Sequence, residues 1–133
     1  MNCNFLKAER LSSKKNINQL FEKGSEKTDS VFLYPFRVVY LSEPKKESEA
    51  VAILISVSKR SFKKAVDRNK IKRRIKEAYR LNKLIFYQNP LQQIPAHIAF
   101  IYVGKEIIPY SNIEGKMKSV LQKIVDVYNG KLG

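Results

Sequence analysis

Ala50 to Arg80 reads AVAILISVSKRSFKKAVDRNKIKRRIKEAYR, and within it a strand hands over to a helix. Ala50–Val57 is an almost unbroken apolar run of strand length closed by Ser58 and Lys59, the pattern of a strand buried on both faces. From Ala65 onward the apolar positions recur at helical spacing instead. On a wheel of about 100° per residue, Ile71, Ile75, Ala78 and Ile85 fall on one side, while Asn69, Lys72, Arg73, Lys76 and Arg80 fall on the other. A second apolar run, His97–Gly104 (HIAFIYVG), follows a loop punctuated by Pro90 and Pro95. A strand, a long helix and a strand in that order require a crossover connection.

Working outward, Ser42–Glu49 (SEPKKESE) is a polar loop, and Val31–Leu41 (VFLYPFRVVYL) has the aromatic and β-branched composition of a strand. Pro35 marks that strand as an edge or bulged one. Read as a single strand, it places Phe32, Tyr34, Phe36, Val38 and Tyr40 on one face. Upstream, Ser13 caps a short helix with Ile17, Leu20 and Phe21 at i, i+3 and i+4, and Gly24 stands where a C′ glycine is expected. Downstream, Ser111 and Glu114 have capping-box spacing. Ile113, Met117, Val120, Leu121, Ile124 and Tyr128 then continue a helix as far as Gly130. The element order is α-β-β-α-β-α. It predicts a single domain spanning 1–133, an α/β (α+β) sandwich with a small central sheet and a long basic helix in the crossover.

Charge points to the partner. The chain carries 26 Lys and Arg against 12 Asp and Glu, a net of +14. Eleven of those basic residues lie between Lys59 and Arg80, where only Asp67 and Glu77 oppose them, so +9 sits in about one-sixth of the chain. A solvated helix intersperses Glu with Lys, because like charges at i, i+4 repel. Leaving the repulsion uncompensated favours a polyanion, and phosphate-lined nucleic acid is the polyanion that such a cationic face fits. Lipid fits less well, since helices lying on membranes present bulky Trp, Phe or Leu where this one presents Ile and Ala.

Other classes lose ground on composition. A single cysteine, Cys3, builds neither a disulfide nor a thiolate metal site, and no apolar segment has the length of a signal peptide core or a membrane span. A cytoplasmic protein with no membrane partner is expected. His97 is the only histidine, and Asp29, Asp67 and Asp126 are scattered, so no carboxylate or histidine cluster suggests a protein active site.

A more specific signal lies in Ser56-Val57-Ser58-Lys59-Arg60 and in Ala65-Val66-Asp67-Arg68-Asn69-Lys70-Ile71-Lys72-Arg73-Arg74. These segments resemble the signature of the ribonuclease P protein family, and the element order is similar over nearly the whole chain. The resemblance implies a left-handed crossover around the central helix. It also implies the protein subunit of a ribonucleoprotein endoribonuclease that removes the 5′ leader from precursor tRNA, with catalysis carried by the RNA subunit. The implied partners are that catalytic RNA and precursor tRNA, with no obligate protein partner. No cofactor is expected on the protein, and Mg2+ is expected at the RNA.

Residue by residue, the resemblance puts the RNA-binding signature on Arg68, Asn69, Lys70, Lys72 and Arg73. The neighbouring cations Lys59, Arg60, Lys64, Lys76 and Arg80 extend the surface. A leader cleft between the first helix and the sheet falls on Ile17, Phe21, Tyr34 and Phe36. Lys70 stands where the signature has Arg, which keeps the charge and loses the planar fork. Ile17 stands where the family often has Phe, which removes a stacking surface. A ribosomal or other structural RNA-binding protein is the alternative reading, and a stand-alone nuclease is the weakest.

Overall fold

The computed structural model describes residues 9–22, 26–46, 50–88 and 92–130. The first helix, α1, covers Lys14–Leu20, and the side chain of Ser13 caps it by accepting from the Asn16 N–H at 3.4 Å. The Gly24 expected at its C′ position lies outside the described residues.

What reads as one strand through Pro35 is a hairpin. β1 (Thr28–Leu33) and β2 (Phe36–Leu41) pair antiparallel, and Tyr34 and Pro35, joined by a cis peptide, form the two-residue turn. Partners across an antiparallel pair share a face. Phe32 pairs with Arg37 and Val31 with Val38, so even residues of β1 lie with odd residues of β2. The expected single aromatic face therefore divides. Phe36, Val38 and Tyr40 are fully buried with Val31, while Phe32 lies on the opposite surface and is 61% exposed.

β3 (Ala52–Val57) and β4 (His97–Tyr102) are parallel neighbours, and the sheet order is β1-β2-β4-β3. The expected crossover is made by α2 (Ala65–Asn82), which runs from β3 back to β4. A 3₁₀ stretch, Lys83–Tyr87, follows, so Ile85 stands beyond the end of α2 and not on its apolar side. β3 is an edge strand with only Ile53 and Val57 fully buried, so the expectation of burial on both faces fails on that outer edge.

The last helix, α3 (Tyr110–Tyr128), is capped by Pro109, two residues before the expected Ser111, and no capping box forms. Glu114 instead accepts from the Asn82 side-chain amide at 3.1 Å and from the Tyr110 hydroxyl at 3.4 Å, tying the start of α3 to the end of α2. Gly130, at φ +72°, ends the helix in the left-handed conformation that glycine adopts without penalty.

Two apolar layers result. On one side of the sheet, Phe36, Val38, Ile98, Phe100 and Tyr102 pack with Ile71, Ile75 and Ala78 of α2 and with Met117, Leu121 and Ile124 of α3. On the other side, α1 contributes Leu20 and Ile17, which pack with Leu11, Val39, Leu41 and Ala99. The second layer is small because α1 is short. A buried ion pair, Lys83 Nζ to Glu9 Oε1 at 2.8 Å, ties the segment before α1 to the end of α2.

Candidate nucleic-acid interface

Two surfaces carry the residues singled out above, and local structure separates them. The first is the outer face of α2. Ile71, Ile75 and Ala78 are fully buried, which turns the opposite side of the helix outward. Asn69, Lys70 and Arg73 are exposed there, and Lys72, Lys76 and Arg80 are half-buried. Lys59, Arg60 and Lys64 are exposed on the loop leading into the helix.

That loop is built, not loose. The Ser58 carbonyl accepts from the Phe62 N–H at 3.1 Å, and the Ser58 hydroxyl accepts from the Arg60 N–H at 3.1 Å. Phe62 is buried with its ring 6.1 Å from that of Tyr102. Arg68 completes the arrangement, with Nη1 donating to the Phe62 carbonyl at 2.7 Å and to the Lys63 carbonyl at 3.0 Å.

Arg68 therefore holds the cationic loop against the start of α2, a role that its place in the basic run does not disclose. Arg80 is also engaged locally. Its Nε and Nη2 form a fork on the Glu77 carboxylate at 2.9 and 2.6 Å, and that hydrogen bonding lowers the Glu77 pKa. The strip facing outward is thus centred on Asn69, Lys70, Lys72, Arg73 and Lys76, and Arg80 at its end is partly neutralised. Arg74 points the other way and donates to the Ile108 carbonyl at 2.6 Å.

The second surface is the α1 side of the sheet. Phe21 caps the end of α1 and is 44% exposed, while Ile17 is packed into the small core. Phe36 cannot serve a cleft on this side. It is fully buried on the opposite face, edge-on to Phe100 and Tyr102 at centroid distances of 6.5 and 6.2 Å.

Tyr34 is 60% exposed at the hairpin tip. It lies within electrostatic reach of the Tyr102 hydroxyl, whose pKa is raised first by burial and next by Tyr34. The aromatic that lies on the α1 side is Phe32. Register puts it in one row with Arg37 and Ile101, beyond the part of the face where Leu20 packs on Val39, Leu41 and Ala99. Arg37 is exposed and Ile101 half-buried. Phe32 and Arg37 were legible only to a reading that split the strand at Pro35, because the two-residue turn is what exchanges the faces.

Known proteins agree with this architecture. Residues 5–125 match the family model described as Ribonuclease P. The chain belongs to the ribonuclease P protein family. It is 38% identical over 120 residues to the ribonuclease P protein component of Porphyromonas gingivalis, covering 89% of this chain and 84% of that protein. It is 32% identical over 127 residues to that of Petrotoga mobilis, covering 90% and 94% respectively. The solved structure of the Staphylococcus aureus RNase P protein superposes with a TM-score of 0.67 at 26% identity, covering 90% of this chain and 99% of that one.

Family membership makes the chain the protein component of a ribonucleoprotein endoribonuclease acting in tRNA 5′ processing, and it chooses between the readings that charge alone left open. A ribonuclease P protein component has an RNA partner, and the composition of this strip suits a phosphate backbone. Among the described residues, no group of three His, Cys, Asp or Glu converges as metal ligands, and no helix is long and apolar enough to cross a membrane.

Proposed function

We propose that the outer face of α2 and the loop before it bind the backbone of the catalytic RNA, and that the α1 side of the sheet receives the single-stranded 5′ leader of precursor tRNA. The observation that carries the division of labour is the separation of the two surfaces. One is cationic and helical, with Lys70, Lys72, Arg73 and Lys76, while the other is an open sheet face with the exposed rings Phe21 and Phe32 beside Arg37.

Cations on a helix suit the regular phosphates of a folded RNA, because phosphate contacts position a backbone without reading sequence. Exposed rings beside a cation suit unpaired bases, which stack on any aromatic face. In this reading the whole chain acts as one RNA-binding domain in the cytoplasm. It has no protein active site, and Mg2+ acts at the RNA and the scissile phosphate without protein ligands.

Reconstitution tests the proposal. Purified protein alone should leave precursor tRNA intact. Added to its RNA at low Mg2+, it should restore leader removal and raise affinity for leader-bearing precursor more than for mature tRNA. Cleavage by RNA-free protein, or equal gains for both tRNA forms, would overturn it.

A further inference from the structure

Between α2 and the outer edge of β3 runs a groove of about 360 Å³, one wall of which is the cationic strip of α2 and the other the strand edge, which neither surface described above includes. Its strand side is formed by Leu11, Ile53, Leu54 and Ile55 together with Arg10, and its other wall is the α2 stripe Asn69, Lys72 and Arg73, with Lys76 one turn further along. The spacing i, i+3, i+4, i+7 puts these four side chains on one helical face, which borders the strand edge across the groove.

The strand edge itself is polar. The Ala52 N–H bonds toward β4, at the Ala96 carbonyl, so the odd residues of β3 direct their N–H and C=O outward. At Ile53 that edge is covered, since its carbonyl accepts from the Leu11 N–H at 2.8 Å and Arg10 bridges it in parallel. The chain then turns away through Ser12 and Ser13 into α1. Ile55, two residues on, presents its main-chain edge to the groove.

We propose that this groove is a pocket for one unpaired nucleotide of the RNA partner. The base lies on Leu11 and Leu54, its hydrogen-bonding edge meets the Ile55 main chain and the Asn69 amide, and its phosphate meets Lys72 and Arg73. The inference rests on the reading of the chain as an RNA-bound subunit and adds a base-reading site to it.

Three features select this occupant. A volume near the lower end of the roughly 300–1,000 Å³ range of small-ligand sites is enough for one nucleotide. The outward edge offers a donor and an acceptor side by side at a single residue, which matches the paired acceptor and donor of a base edge, whereas strand addition by a peptide draws on a row of such groups. The wall is cationic with an amide at one end, and no carboxylate lines the groove among the described residues, so it complements a phosphate at one position and a neutral polar group at the other.

The test is an amide-resolved NMR titration of the full chain with each of the four ribonucleoside 5′-monophosphates, with ribose 5-phosphate as control, followed by reconstitution of an Asn69→Leu variant. At millimolar concentration, at least one nucleotide should shift the Ile55 main-chain amide and the Asn69 side-chain amide, and ribose 5-phosphate should shift neither. Asn69→Leu should weaken binding of the catalytic RNA roughly fivefold with an unchanged salt slope, because one neutral hydrogen bond and no charge is lost.

Equal shifts with ribose 5-phosphate would reduce the groove to a phosphate site. Ile55 shifts produced by an acidic peptide and by no nucleotide would make it a peptide groove. Either outcome overturns the proposal, as does an unmoved Ile55 with all four nucleotides. Reconstituted leader removal persisting under those outcomes would leave the RNA-subunit reading standing, so the two failures are distinguishable.

Discussion

Replacing Phe36 and Phe32 by alanine, one at a time, separates core from cleft more sharply than any other pair in the chain. The rings stand on adjoining strands, four residues apart, and a continuous strand would put them on the same face. Phe36 is fully buried with two edge-on ring neighbours. Truncating it removes the buried ring and leaves a cavity, at a cost of about 3–5 kcal/mol. Against a total stability of roughly 5–15 kcal/mol for a domain of ordinary size, that is a large fraction.

With a urea slope of about 2 kcal/mol per molar, the midpoint should fall by roughly 2 M. Phe32, 61% exposed, should change stability by no more than about 0.5 kcal/mol. Loss of its stacking surface should weaken binding of a single-stranded leader by about 1–3 kcal/mol. Equilibrium urea unfolding followed by tryptophan-free far-UV circular dichroism, beside fluorescence anisotropy with labelled precursor tRNA, reads both quantities. A Phe36→Ala protein with an unshifted midpoint and a selective loss of leader binding would refute the face assignment, as would a Phe32→Ala protein that is destabilised like a core mutant.

Other expectations follow from the same structure. Glu9→Gln or Lys83→Met alone should destabilise by about 3–5 kcal/mol, since each removes one half of a buried ion pair, while the double replacement Glu9→Leu with Lys83→Met should recover most of that loss. Differential scanning calorimetry of the three variants decides it. Arg73→Ala should weaken RNA binding across sequences and reduce the magnitude of the salt slope by about one phosphate contact, measured by filter binding over a range of KCl concentrations.

The buried Tyr40 phenol is pushed up to about 12, first by desolvation and then by Asp29, whose carboxylate accepts its hydrogen bond. An unfolded tyrosine ionises near 10, so this raised group contributes stability that is fully present below about pH 10 and is lost as pH climbs toward 12. Tyr40→Phe should flatten that alkaline decline in urea midpoint.

Much of the architecture was legible in the chain because it depends on local periodicity. The alternation from an apolar run to a helical repeat at Ala65 located the crossover helix, its buried Ile71, Ile75 and Ala78, and the outward position of Asn69, Lys72, Arg73 and Lys76. Each of those facts follows from the side-chain directions of a single element. Ser13 and Gly130 likewise act within one turn of where they stand, so a cap and a stop were readable without a fold. The cationic run and the signature around Arg68 and Asn69 were enough to point to an RNA partner.

Tertiary structure decided whatever depends on two segments meeting. The turn at Tyr34 and Pro35 exchanges the faces of β1 and β2, burying Phe36 and exposing Phe32, and parity within either strand cannot report that exchange. Arg68 and Arg80 count as cations in a sequence, but the Phe62 and Lys63 carbonyls and the Glu77 carboxylate engage them in the folded chain. The groove beside Ile55 exists because β3 is an edge strand whose cover stops at Leu11, and strand order is a property of long-range pairing. Side-chain chemistry and helical period chose the kind of partner for this protein. Register and strand order chose which side chains are left to touch it.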